Sequence, residues 1–180
     1  AIHFGRLTDE EVERGLIAAG VGDEQAKRGA ALADGSLGAA MERIDDPVLA
    51  RGDEILAQCV EIRPGDATAA LKLAAKLAEP KDHVPQVLEI LLRFYRDALL
   101  LSVDATERVR LTHPHLVDTL LQTVVERLGT EALLYRLSLI ADTQSAMTSR
   151  NIPGVLSLER LLVALLAPPG REGATPIRDR

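Results

Sequence analysis

Residues 84–102 read VPQVLEILLRFYRDALLLS, and their spacing decides the fold class. Val87, Leu88, Leu91, Leu92, Tyr95, Leu99 and Ser102 recur at the helical period. That pattern predicts a helix with one apolar face. Arg93, Arg96 and Asp97 fall on its other side. The composition extends this reading to the whole chain. It holds 30 Leu and 25 Ala against two Phe, two Tyr and no Trp. Leu and Ala favour helices, whereas strands favour β-branched and aromatic residues. The expectation is an all-α protein of closely packed helices. The same counts disfavour a β-sandwich, a Rossmann sheet, or an aromatic surface for single-stranded nucleic acid. At 180 residues the chain fits one compact domain or two small ones. With 47% apolar and 27% charged residues it can bury a core, which excludes a disordered polyampholyte.

Upstream of this helix, Ile2-His3-Phe4 is a brief apolar start, and Thr8-Asp9-Glu10-Glu11 reads as a capping box. Val12, Leu16 and Ile17 give the helix that follows an apolar face, and Gly20 ends it. A second helix is expected over 23–33, and a third from a Ser36 cap to Ile44. Asp45-Asp46-Pro47 is the clearest boundary, with Asp46 as cap and Pro47 at the first helical position. Helices over 47–62 and after the Pro64-Gly65-Asp66 turn come next, the latter closed by Glu79-Pro80.

Downstream, 104–111 is polar and reads as a connection with a turn of helix. Pro114 opens a helix ending at Leu128-Gly129, Gly129 being a good left-handed C′ residue. Thr130 caps a long helix over 131–150, Asn151-Ile152-Pro153-Gly154 breaks it, and Ser157 caps the last helix. Residues 168–180 read as a tail.

The formal net charge is −6 and no stretch is strongly basic, which argues against direct phosphate-mediated binding of DNA. The single Cys59 cannot form an internal disulfide, which fits a cytoplasmic protein. Leu161 to Ala167, the longest apolar run, is too short to span a membrane. No signal peptide is read in the sequence, and the start at Ala1 without an initiator Met is the expectation for a processed protein or an excised fragment.

Candidate chemistry is sparse. The chain has no P-loop. Gly35-Ser36-Leu37-Gly38 opens a helix and in principle faces an anion, or else is a turn with an N-cap. His113 and His115, with Asp118 one turn on, are the nearest approach to a metal set, but zinc wants three or four ligands, and a polar helix start accounts for them. Cys59 lies on an apolar face, the place of a small buried hydrophobe. Arg93 and Arg96 read as a phosphate contact or as a solvated face or interface pair. No catalytic residue, metal or cofactor is expected, and the chain is expected not to be an enzyme. Leu99-Leu100-Leu101, Leu120-Leu121 and Val124-Val125 carry more apolar bulk than one face needs, so part of this surplus is expected at an interface.

Several stretches, taken in order, carry a resemblance. They are Phe4 to Val12, Leu32 to Met41 with its Gly35-Ser36, Leu88 to Leu101 with Arg93-Phe94-Tyr95-Arg96-Asp97 inside, and Leu137 to Leu166 with Ser149-Arg150-Asn151 and Leu156 to Leu162. Over about residues 2–166 the chain resembles the C-terminal two-thirds or so of the delta-prime family of bacterial DNA polymerase III clamp-loader subunits, of the AAA+ class. The resemblance implies an AAA+ lid-like helical domain over 1–46, a helical collar domain over 47–167, and a nucleotide-binding core preceding Ala1. It implies ring assembly with the delta and gamma/tau subunits through the collar, and only indirect contact with the sliding clamp and primer-template DNA. In hydrolysing relatives an Arg follows the Gly-Ser-x of the sensor-2 helix. Here Gly35, Ser36 and then Gly38 stand in that motif, so the lid is expected not to sense ATP this way. That departure suits a delta-prime stator better than a gamma/tau-type collar. The alternative reading is a free-standing helical ligand-binding or regulatory protein.

Overall fold

The structure, a computed structural model, describes residues 6–33, 35–103 and 111–167. The expectations for Ile2-His3-Phe4, for residues 104–110 and for the tail 168–180 lie outside the described residues. The chain is all-helical, and no strand occurs among the described residues. It divides into two compact units between Arg51 and Gly52.

The first unit contains α1 (Asp9–Ala18), α2 (Asp23–Leu32) and α3 (Leu37–Ile44). The capping box at α1 forms as read: Glu11 N donates to Thr8 Oγ1 at 3.3 Å, and Thr8 N donates to Glu11 Oε2 at 2.8 Å. Val12 and Leu16 of α1 pack on Ala26 and Ala30 of α2 and Ala40 of α3, with Val21, Leu37 and Ile44 around them. Alanines across from leucines let the helix axes approach closely. Gly29 extends this fit, since an added Cβ would lie 2.8 Å from Ile44 Cγ1. Arg43 reaches across to donate to the Leu32 carbonyl.

Asp46 caps the stretch after α3 through Val48 N at 2.8 Å and Leu49 N at 3.1 Å. The helix expected from Pro47 instead begins as a 3-10 turn, Leu49–Arg51, and becomes α-helical only at α4 (Gly52–Glu61).

The second unit continues with α5 (Ala67–Leu77), capped by Asp66 Oδ1 on Ala69 N at 2.9 Å, and with α6 (Val84–Val103). Next come a 3-10 turn, Pro114–Leu116, and a π turn, Val117–Leu121, where an α-helix is expected. Thr119 Oγ1 bonds the Leu116 carbonyl and Thr123 Oγ1 the Thr119 carbonyl, so hydroxyls share acceptors with the backbone here. The last elements are α7 (Gln122–Arg150) and α8 (Gly154–Leu165). The break expected at Gly129 is real, with φ 73° and ψ 169°, but its ψ is extended rather than left-handed helical. Thr130 Oγ1 bonds Ser102 Oγ at 3.1 Å.

Ser157 does not cap α8. Asn151 turns left-handed at φ 50°, the extended Pro153 follows, and α8 begins at Gly154, which leaves Ser157 buried inside the helix. Phe94, Leu88 and Leu91 of α6, Leu121 of the π turn, Leu133 and Ile140 of α7, and Leu158 and Leu162 of α8 are all fully buried, and α6 packs against α7 and α8. Phe94 and Tyr95 meet edge-to-face, 5.6 Å between centroids.

Candidate functional site

Gly35, Ser36 and Gly38 form a turn and a helix start. Gly35 has φ +77° and its carbonyl accepts Leu7 N at 3.0 Å. An added Cβ would lie 2.5 Å from the Leu7 carbonyl oxygen, so only glycine fits both the dihedral and the close approach. Ser36 Oγ accepts Ala39 N at 3.3 Å. Gly38 is exposed, and a Cβ there would meet nothing within 4 Å. These three residues bring no side-chain charge to the start of α3.

The two histidines are held apart in function by two carboxylates. Asp97 of α6 is buried, contrary to its expected place on the polar side. Its carboxylate accepts Thr112 N at 3.1 Å, His113 N at 2.8 Å and His113 Nδ1 at 2.9 Å, with Arg96 Nη1 at 3.7 Å. His115 Nε2 meets Asp53 Oδ2 of α4 at 2.8 Å in an exposed pair. The rings lie 6.3 Å apart. Among the described residues no three His, Cys, Asp or Glu side chains gather to hold a metal. The arrangement instead fastens the stretch before α7 to α4 and α6. A buried carboxylate is tolerated only when its lone pairs are filled, and here backbone donors and the imidazole fill them.

Arg93 pairs with Glu89 one turn earlier at 3.1 Å, and Arg96 is exposed. Cys59 is buried and its thiol is pushed up to about 12 by burial, which suppresses the nucleophilic thiolate. Tyr95 is pushed up to about 12 in the same way, against the pull of the Arg136 guanidinium. Arg136 is buried beside Pro64, Arg127 and Leu165–Ala167, and its Nη2 donates to the Ala167 carbonyl at 3.4 Å. Gly65 N donates to the Leu166 carbonyl at 2.7 Å. Together they satisfy the carbonyl end of α8, where a cation also suits the helix dipole. The cleft between these groups is water-sized, too small for a substrate.

The surface of α7 offers a different kind of site. Leu134, Ser138, Ala141, Ser145 and Thr148 are all exposed, at alternating spacings of four and three residues. This places them on one ridge, about 20 Å long at the helical rise. None is charged. Ser138 Oγ donates to the Tyr135 carbonyl at 2.7 Å, and Thr148 Oγ1 to the Ser145 carbonyl at 3.0 Å. Those hydroxyls spend their protons inside the helix and present a smooth face. Leu134 is 53% exposed, and Leu156 of α8 and Leu71 of α5 are exposed as well.

The apolar segments expected to lie in part at an interface are divided between core and half-buried positions. Leu121 and Val124 belong to the core, while Leu99, Leu100, Leu101, Leu120 and Val125 are half-buried.

No protein-family model matches the chain, and no curated protein or solved structure matches it either. No helix among the described residues is long and apolar enough to cross a membrane.

Proposed function

We propose that the chain is a non-catalytic assembly module of a bacterial clamp loader: the lid and collar portion of a delta-prime subunit, working in the cytoplasm. In this reading residues 1–46 are the lid and 47–167 the collar, which binds the collars of the delta and gamma/tau subunits. Clamp and primer-template DNA are met only through the assembled ring.

One observation carries the proposal: the uncharged ridge from Leu134 to Thr148 on the solvent side of α7. A surface helix normally turns charged residues to water. A ridge of Ala, Ser, Thr and one exposed Leu at coiled-coil spacing instead suits close packing against another helix. The resemblance carried by Leu137 to Leu166, within the collar portion, supplies the class of partner. The Gly35-Ser36 start of α3 supports the lid reading, and the open, uncharged Gly38 supports a stator over a gamma/tau-type subunit. A free-standing ligand-binding role draws no support from the water-sized cleft beside Arg136.

Co-purification with purified delta and gamma/tau collars tests the proposal. A stoichiometric complex is expected. A chain that stays apart from them at micromolar concentration contradicts it.

A further inference from the structure

We draw no further inference here: the strongest candidate, the uncharged ridge of Leu134, Ser138, Ala141, Ser145 and Thr148 on the solvent face of α7, belongs to the surface already proposed for assembly, and nothing in the structure shows what covers it.

Discussion

The Asp97 carboxylate on α6 receives the His113 ring nitrogen Nδ1 at 2.9 Å and the His113 backbone N–H at 2.8 Å, so one buried side chain holds one residue twice. Asp97 itself is 0% exposed. Truncation would strand the Thr112 and His113 amides in the interior. Asp97→Ala is therefore expected to cost about 3 kcal/mol. Asp53→Ala breaks only an exposed pair with His115 and is expected to cost less than about 1 kcal/mol. Urea unfolding of both variants measures the contrast; equal losses would show that burial of Asp97 is not what matters.

Two glycines of the first unit predict effects of opposite sign. Gly29→Ala drives a methyl to 2.8 Å from Ile44 Cγ1 and 3.1 Å from Leu16 Cδ1, and is expected to destabilise by about 1–2 kcal/mol. Gly38→Ala places its methyl in open space within α3 and is expected to stabilise by about 0.5–1 kcal/mol. Thermal melts report both; a destabilised Gly38→Ala would mean that this glycine is held for another reason.

The capping box gives α1 a pH dependence. Hydrogen bonds from the Thr8 backbone and side chain hold the Glu11 carboxyl below the usual glutamate range. Its contribution is complete above the unfolded value of about 4.3 and fades as pH falls through the lower folded value. Glu11→Ala should therefore narrow the gap to the wild type as pH drops from 6 towards 3, roughly the span of carboxylate titration. Circular-dichroism melts across that range check it, and a gap independent of pH would contradict it.

Cys59 should behave as a sealed thiol. With its ionisation pushed up to about 12 by burial, it is expected to stay unreactive to a disulfide reagent in the native protein and to react in denaturant. The unfolded thiol ionises near about 8.5, so the unfolded state loses its proton first. This group therefore lowers stability as pH rises from that value towards the folded one. Cys59→Ala should flatten the alkaline loss, and rapid labelling of native protein at neutral pH would overturn the account.

What the sequence made legible were the local signals. The Thr8–Glu11 box, the Ser36 and Asp66 caps, the Asp46 cap and the Gly129 break depend on a few neighbouring residues, and each appears in the structure. The α6 stripe was readable in part: Val87, Leu88, Leu91 and Tyr95 are buried, but Leu92, Leu99 and Ser102 are half-buried, Ile90, Phe94 and Ala98 are buried beside them, and so is Asp97. Its burial is set by the Thr112 and His113 donors, far along the chain, which no helical period encodes. Ser157 looked like a cap because serine often is one, but Asn151 and Pro153 fix the start of α8 earlier. The π turn at Val117–Leu121 and the α7 ridge were missed for a related reason. Hydroxyls that bond their own helix read as polar surface, and only the burial pattern shows Leu134, Ala141 and Ser145 aligned and uncovered.

The central claim, that the α7 ridge is an assembly surface, is tested most directly by one measurement. Size-exclusion chromatography with light scattering would follow the chain mixed with delta and gamma/tau collars, as wild type and as Ala141→Glu. Ala141 is exposed, so the substitution should leave the unfolding curve unchanged. The account predicts a stoichiometric wild-type complex that Ala141→Glu weakens by roughly tenfold or more, the cost of placing an unpaired charge in a packed contact. A wild-type chain that ignores these partners, or a complex indifferent to Ala141→Glu, would contradict it.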